Sequence, residues 1–264
     1  SAEAGPRLLL WPEAAITEPL EDARSVEHQA MAEFARTRAA SLVRPGEFLL
    51  TGGLGLSAEG NRLTGATNSV FILAPGGRVV GRYDKAHLVP YGEYLPMRPL
   101  LSAIGLSRLA PGDVDFTPGL GPRTMTLPGW GRVGFQLCYE IIFSGEVVDK
   151  HNRPDFIFNP SNDAWFGAWG PPQHLAQARM RAAEEGIPVL RSTPTGISAI
   201  IDARGNVVRS LPLGTAGVID GALPPPAEAV TPFGRAGNWI PLLLALALMI
   251  AAIALPKDER YRRT

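Results

Sequence analysis

The sequence of 264 residues is poor in cysteine and lysine and has no excess charge, with one cysteine, three lysines, and 25 basic against 25 acidic residues. A single cysteine excludes an internal disulfide. No Cys/His spacing typical of a zinc site occurs, so His174 is interpreted as a structural histidine rather than a metal ligand. The balanced charge and the lack of a basic stripe argue against a nucleic-acid partner. The sequence therefore implies no metal, no cofactor and no nucleic acid.

Glycine and proline are instead abundant, at 29 and 25 residues, and are scattered among apolar runs. This pattern is typical of many turns between short strands rather than of disorder. Two helices are predicted, one at 173–185 and one at 21–44 with Val26, Ala30 and Phe34 on its apolar side. Because few helices separate the predicted strands, an α/β sandwich is expected. Besides a strand before Cys138, the predicted strands are 7–10, 47–51, 68–73, 78–83, 123–127, 155–158, 187–193, 196–201, 207–211 and 217–223.

The cysteine lies in the stretch 131–144, GRVGFQLCYEIIFS. Apolar residues alternate before it, which predicts a strand with one buried face. Ser144 has the side chain of a helix N-cap, so Cys138 is expected just before a short helix, in an exposed position that favours thiolate over thiol. Two interpretations stay open for this stretch alone: a catalytic nucleophile, or a buried core cysteine.

Two further stretches place ionisable side chains beside strands. Proline at position 12 ends the strand at 7–10, so Glu13 lies at the strand's end. The stretch 83–96, YDKAHLVPYGEYLP, is a poor helix and a poor strand, yet it holds Asp84, Lys85, His87 and Glu93 among aromatic residues and prolines. Such a loop is typical of a functional site, although a solvated linker can have the same composition.

The composition changes after residue 223. A proline-rich linker is predicted at 224–238, and residues 240–255 carry no charge. A helix of this length spans about 24 Å, the short limit for crossing a bilayer. The flanking Trp239 and the basic tail at 257–264 favour a transmembrane helix at 239–256 over a buried terminal helix. The tail is then expected in the cytoplasm and the globular part, residues 1–223, on the outer face of the membrane.

Four motifs in order, WPE at 11–13, YDKAHL at 83–88, PYGEYLP at 90–96 and CYE at 138–140, resemble the nitrilase or carbon–nitrogen hydrolase superfamily. That superfamily has a Glu–Lys–Cys triad and an αββα sandwich. Later motifs are similar to one branch, the bacterial apolipoprotein N-acyltransferases: SNDAWFG at 161–167, QHLAQARMRAAE at 173–184, LRSTPTGISAIID at 190–202 and TPFGRAGNW at 231–239. The resemblance covers nearly the whole chain. It implies a nitrilase-like αββα sandwich at 1–223 followed by one C-terminal transmembrane helix.

The resemblance implies roles for six residues. Glu13 would be the base, Lys85 the oxyanion stabiliser and Cys138 the nucleophile. A thiol with a free pKa of about 8.5 needs such a base and a nearby cation to react at neutral pH. Glu93 would orient Lys85 or assist proton transfer, and Tyr139 and Glu140 would have supporting roles.

The branch implies a reaction in two halves. The cysteine would take an acyl chain from a membrane phospholipid as a thioester, and the N-terminal diacylglyceryl-cysteine of an apolipoprotein would then accept it. This places the protein in the bacterial cytoplasmic (inner) membrane, with the catalytic domain on the periplasmic face. Candidate lid or lipid-facing residues, which would keep water from the thioester or contact the lipid, are Tyr94, Trp165, Phe166 and Trp169.

The sequence departs from the branch in lacking a multi-helix membrane bundle and a first strand before the WPE strand, so a strand is expected to be missing from the sandwich. Two rival interpretations remain. A nitrilase-type amidase for small amides would share the triad but leave the terminal apolar helix unexplained. A membrane-anchored, inactive binding domain would have no reason to keep a reactive cysteine.

Overall fold

The structure is a computed structural model of the chain and describes residues 5–105 and 114–254. The helices within those residues are α1 Val26–Ala39, α2 Arg98–Ala103, α3 Gly170–Glu185, α4 Pro232–Ala236 and α5 Trp239–Ala254. The strands are β1 Leu8–Leu10, β2 Glu21–Asp22, β3 Phe48–Glu59, β4 Arg62–Leu73, β5 Val79–Asp84, β6 Thr124–Leu127, β7 Gly131–Phe135, β8 Phe156–Pro160, β9 Val189–Ser192, β10 Ser198–Ile201 and β11 Val207–Leu211.

The strands form two sheets. In the first, the order is β1-β3-β4-β5, and β2 pairs with a later part of β3. Strands β1 and β2 run parallel to β3, whereas β3, β4 and β5 are joined as antiparallel neighbours. In the second, the order is β11-β10-β9-β8-β7-β6, with a parallel centre of β7, β8 and β9 between antiparallel edges.

Alternation along the strands buries one face of each sheet against the other sheet. Val70 and Ile72 of the first sheet belong to the same core cluster as Val133, Phe156 and Phe158 of the second. All five side chains are at most 1% exposed. Burying such a side chain contributes about 1.5–3 kcal/mol, so this shared core holds the two sheets together and fixes the loops at their ends.

The opposite faces of the sheets are covered by helices. Phe71 and Leu73, which alternate with the inner residues of β4, pack in a cluster with Ala35 of α1. On the other sheet, Ile157 packs in a cluster with Ala178 of α3. The layers are therefore helix, sheet, sheet and helix, and the predicted αββα sandwich is confirmed.

Helix α1 differs from its prediction in both its start and its buried face. It begins at Val26, where the Ser25 hydroxyl accepts a hydrogen bond from the backbone N–H of His28 at 3.3 Å. Val26 and Phe34 are 76% and 67% exposed, so the predicted apolar side was wrong. The helix instead buries its alanines, whose small side chains permit close approach to the sheet: Ala32, Ala35 and Ala39.

The C-terminal helix α5 contains 16 residues, none of them buried. Its apolar side chains, from Trp239 to Ile253, are exposed. Among the described residues, no helix has both the length and the apolar character needed to span a bilayer. The end of the predicted transmembrane segment and the basic tail at 257–264 lie outside the described residues. The predicted strand at 217–223, which is described, does not form.

Candidate active site

Cys138 lies just beyond β7, as the first residue of a single 3-10 turn, Cys138–Ile142. The helix expected to begin at Ser144 does not form, because the helical turn starts at the cysteine itself. Its backbone has φ of 51°, in the left-handed region that costs a non-glycine residue about 1–2 kcal/mol. The side chain is 6% exposed rather than open to solvent. A strained, sharply turned backbone thus presents a buried thiol.

Glu13 is held beside this thiol by the loop that follows β1. The loop is fastened to β3 by backbone hydrogen bonds, from Trp11 to the Leu50 carbonyl at 2.8 Å and from Gly52 to the Pro12 carbonyl at 3.2 Å. A Cβ atom on Gly52 would lie 2.6 Å from the Glu13 Cα atom, so only glycine permits this approach. The Glu13 residue is 8% exposed.

Lys85 follows directly after β5 and is 1% exposed. Its backbone N–H donates to the Asn68 carbonyl at 2.9 Å, which extends the pairing of β4 and β5 by one residue. Its Nζ atom lies 2.9 Å from Glu93 Oε1 and 3.9 Å from Glu13 Oε1. The structure therefore brings Glu13, Lys85, Glu93 and Cys138 together from three segments of the chain, since Lys85 and Glu93 belong to the same loop.

The charges of Glu13 and Lys85 act on the thiol in opposite directions. Burial raises the pKa of Cys138 most strongly, and the Glu13 carboxylate raises it further, while the Lys85 ammonium lowers it. The net pKa is raised, against the expectation that this position favours thiolate over thiol. A buried thiol of this kind requires a base at the moment of attack, and the Glu13 carboxylate is the nearby acidic group that acts on the pKa of the thiol.

Lys85 stays charged although it is buried. Burial alone would lower the pKa of Lys85, but the nearby carboxylates of Glu13 and Glu93 outweigh that effect, and the net pKa is raised. A charged ammonium that is buried from solvent is a strong electrostatic partner for a developing oxyanion.

Asn68 belongs to this cluster and was missed in the sequence. Its Nδ2 atom donates to Glu13 Oε1 at 2.7 Å and to Glu93 Oε1 at 2.8 Å. The amide thereby ties together the two carboxylates that face Lys85. The signal that could have found it is an amide side chain at the start of the predicted strand 68–73, NSVFIL, which is otherwise mostly apolar.

Glu140 joins the loop after Lys85 to the turn that carries the cysteine. Its Oε1 atom accepts from the Tyr83 hydroxyl at 2.8 Å and the Ala86 backbone N–H at 2.7 Å, and its Oε2 atom accepts from the Leu137 N–H at 2.7 Å. Burial raises the pKa of Glu140 against these hydrogen bonds, which favour the charged form. The neighbouring ring of Tyr139 packs edge-on against Phe143, with ring centroids 5.1 Å apart.

The predicted lid or lipid-facing residues lie mostly at the surface. Trp165, in the 3-10 turn Asp163–Phe166, is 65% exposed, and Trp169, just before α3, is 84% exposed. Tyr94 is half-buried, and the side chain of Phe166 lies outside the described part of the structure. The turn nevertheless begins beside the thiol, because the Asn162 carbonyl lies 3.9 Å from Cys138 Sγ.

A thiol, a base and a fixed cation in one buried cluster are the components of nucleophilic acyl transfer through a thioester. The carbon–nitrogen hydrolase family model matches residues 1–231. The chain is 40% identical over 253 residues to an apolipoprotein N-acyltransferase of Rhodopseudomonas palustris, covering 95% of this chain and 45% of that protein. It is 41% identical over 249 residues to an apolipoprotein N-acyltransferase of Bradyrhizobium diazoefficiens, covering 92% of this chain and 44% of that protein. The chain thus spans slightly less than half the length of these curated relatives.

Solved structures with the same fold include an amidase from Nesterenkonia sp., at a TM-score of 0.53 and 21% identity, covering 79% of this chain and 74% of that one. Another is Nit3 of Saccharomyces cerevisiae, a nitrilase-superfamily member, at a TM-score of 0.56 and 18% identity, covering 80% and 74%. At these identities the likeness concerns the fold alone. The matched family model, extending over most of the sandwich, settles the predicted resemblance: the chain belongs to the carbon–nitrogen hydrolase family.

Proposed function

We propose that the chain carries the catalytic part of an apolipoprotein N-acyltransferase. It would move a fatty acyl chain from a phospholipid to the N-terminal diacylglyceryl-cysteine of an apolipoprotein. The observation that carries the proposal is the buried cluster of Cys138, Glu13 and Lys85 in a chain 40% identical, over 95% of its length, to a protein of that name. The amidase alternative would share the same cluster, and its support from solved structures concerns the fold alone.

In the first half-reaction, Glu13 removes the thiol proton as Cys138 Sγ attacks the ester carbonyl of the phospholipid. Lys85 stabilises the oxyanion of the tetrahedral intermediate, together with backbone N–H groups at the cysteine turn. Collapse breaks the ester C–O bond, and the proton held by Glu13 passes to the departing lysophospholipid oxygen. Glu93 and Asn68 orient Lys85 and Glu13, which is supported by their distances of 2.9 and 2.7 Å.

In the second half-reaction, the free α-amino group of the acceptor attacks the thioester. Glu13 now takes a proton from the attacking amine, and the thiolate leaves and is reprotonated. The product is an amide, and the enzyme returns to its resting state. Glu140 and Tyr139 support the geometry of both steps, since Glu140 bonds to the backbone on either side of the site.

The proposal includes a membrane location. Helix α5 presents only apolar and exposed side chains along its described length, and such a surface is unfavourable in water. We place α5 in the bilayer of the bacterial inner membrane, the sandwich at 1–223 on the periplasmic side, and residues 224–238 between them as a linker. Both proposed substrates are lipids or lipid-modified, so a membrane-bound site would meet them directly.

The test is intact-mass spectrometry of the detergent-solubilised chain after incubation with phosphatidylethanolamine. We expect a mass increase of one acyl chain that is lost on hydroxylamine treatment and absent in Cys138→Ala. Addition of a diacylglyceryl-cysteine peptide should then discharge the adduct and give an acylated peptide. If no adduct forms although Cys138 still reacts with iodoacetamide, the acyltransferase proposal fails for this chain, and hydrolysis of a small amide would support the amidase alternative.

A further inference from the structure

A second buried polar cluster lies behind the cysteine turn, on the side of α3. His174 of α3 is 6% exposed, and its Nε2 atom lies 3.0 Å from the carbonyl oxygen of Cys138. A carbonyl oxygen only accepts hydrogen bonds, so Nε2 is the donor. The histidine therefore holds the backbone carbonyl of the nucleophile.

The ring of His174 is positioned by two further buried residues, Asp163 and Arg191. Its Nδ1 atom lies 2.8 Å from Asp163 Oδ1, and the other oxygen of Asp163 accepts from Arg191 Nη2 at 2.6 Å. The side chains of Asp163 and Arg191 are both 0% exposed. Arg191 also donates to Asn159 Oδ1 at 2.7 Å and to Ser161 Oγ at 2.9 Å, so the cluster is anchored on β8 and β9.

The bond to the Cys138 carbonyl acts on a peptide group that the reaction needs. The residue has φ of 51°, a conformation that persists only where surrounding contacts hold it. In a trans peptide, the N–H of Tyr139 points opposite to the carbonyl of Cys138, so fixing one direction fixes the other. That N–H follows the nucleophile directly, where a donor to the oxyanion is useful.

We propose that His174, held by Asp163 and Arg191, is a positioning residue that fixes the Cys138–Tyr139 peptide and so sets the direction of the thiol and of the adjacent N–H. The inference rests on the proposed acyl transfer, because the fixed peptide serves the oxyanion of that reaction. It predicts that loss of His174 impairs acylation of the cysteine much more than alkylation, which forms no oxyanion.

The experiment compares two rates at Cys138 in the complete chain in detergent. One is acylation by p-nitrophenyl acetate, followed by intact mass, and the other is alkylation by iodoacetamide. For His174→Ala we expect acylation to fall about 100-fold while alkylation changes less than about threefold. The amide of His174→Gln can donate to the same carbonyl, so this variant should be acylated at least about tenfold faster than His174→Ala. Asp163→Asn, which keeps the side-chain volume, should lower acylation without abolishing folding.

A matched control lies on the same helix. Glu185 is buried, pairs with Arg153 at 2.9 Å, and lies 11 residues after His174, about 16 Å along α3. Glu185→Gln should lower stability but leave the ratio of the two rates unchanged. Equal loss of both rates in His174→Ala, or no recovery in a folded His174→Gln, would overturn the proposal.

Acylation by p-nitrophenyl acetate also distinguishes failure of the proposed lipid acyl transfer from failure of the proposed role of His174. Wild-type chain that accepts acetyl from p-nitrophenyl acetate but nothing from phosphatidylethanolamine contradicts the proposed lipid substrate and leaves the His174 comparison valid. Wild-type chain that accepts neither overturns both, since there is then no acyl transfer for His174 to support.

Discussion

Asn68 Nδ2 donates a hydrogen bond to Glu13 Oε1 at 2.7 Å, across 55 residues of sequence. The same amide donates to Glu93 at 2.8 Å. Two carboxylates that both face Lys85 would repel each other, and one amide with two N–H groups satisfies both. The orientation of the proposed base thus depends on a neutral side chain in β4.

Asn68→Asp should slow thioester formation by about ten- to a hundredfold, because it replaces a donor by an acceptor at constant size and removes a hydrogen bond to a charged group, worth about 1.5–3 kcal/mol. Intact-mass kinetics with p-nitrophenyl acetate measures the effect. Asn206→Asp makes the same chemical change in an exposed turn and should leave the rate unaltered. An unaltered rate in Asn68→Asp would show that Glu13 needs no such orientation.

The charges around the thiol predict opposite pH shifts for two variants. The Glu13 carboxylate raises the pKa of Cys138 and the Lys85 ammonium lowers it. Glu13→Gln removes a negative charge that disfavours the thiolate, so the midpoint of iodoacetamide alkylation should move to lower pH, by about one unit or more. Lys85→Met removes a positive charge that favours the thiolate, and the midpoint should move to higher pH. Shifts in the same direction would contradict the proposed arrangement.

Gly52 controls the position of the loop that carries Glu13. Gly52→Ala would place a Cβ atom 2.6 Å from the Glu13 Cα atom and 2.9 Å from the Pro12 carbonyl oxygen. Both neighbours are backbone, so the loop must move, and a displacement of about 1 Å can reduce the acylation rate about 100-fold. Gly5→Ala, which meets nothing within 4 Å, is the control. A Gly52→Ala chain that acylates at the wild-type rate would mean that the loop adjusts without moving Glu13.

The buried face of α1 gives a prediction about stability. Phe34 is 67% exposed, with Arg38 over its ring at 6.0 Å, so Phe34→Ala should lower the free energy of unfolding by less than about 1 kcal/mol. Ala35, at 2% exposed, lies against the sheet, and Ala35→Leu should cost about 1–3 kcal/mol through overpacking. Urea unfolding measures the free energy of unfolding of both variants. A larger loss in Phe34→Ala than in Ala35→Leu would mean that α1 buries the side of Val26 and Phe34 after all.

That helix illustrates what the sequence can and cannot predict. Many strands and motifs were predictable because alternation, turn residues and strand ends are local signals. The strands predicted at 7–10 and 207–211 form close to those bounds, whereas the strand predicted at 217–223 does not form. It was not predictable that α1 buries its alanines rather than Val26 and Phe34, because that choice depends on how closely α1 approaches the sheet. A Cβ on Gly77 would lie 2.6 Å from the Thr37 nitrogen, and no local pattern encodes that contact.

The candidate site also contains residues that local motifs predict and residues that only the fold brings together. Glu13, Lys85 and Cys138 stand in recognisable motifs, and the structure places them together. Asn68 was missed, and His174 was interpreted as a structural histidine without its contact to Cys138, because their partners are 55 and 36 residues away in the sequence. The raised pKa of Cys138 was also missed, since burial of the thiol arises only when both sheets and their loops close around it.

The exposed tryptophans allow the lipid donor to be tested apart from the chemistry. Trp165 and Trp169 are 65% and 84% exposed and lie outside the buried cluster, which favours contact with a membrane over a closed lid. Trp165→Ala and Trp169→Ala should therefore slow acylation by phosphatidylethanolamine vesicles while acylation by p-nitrophenyl acetate stays at the wild-type rate. If the tryptophans instead form a lid, the two variants should hydrolyse the preformed thioester faster than wild type, whether the acyl chain came from phosphatidylethanolamine or from p-nitrophenyl acetate.

Val208 supplies the control for this comparison, because it is apolar and 54% exposed but lies on β11, at the far edge of the second sheet. Val208→Ala should change neither rate. Equal losses with the vesicle and the soluble ester in the tryptophan variants would place these rings in the reaction itself. In that case the surface around Asn162, whose carbonyl lies 3.9 Å from the thiol, would have to close over the site during acylation.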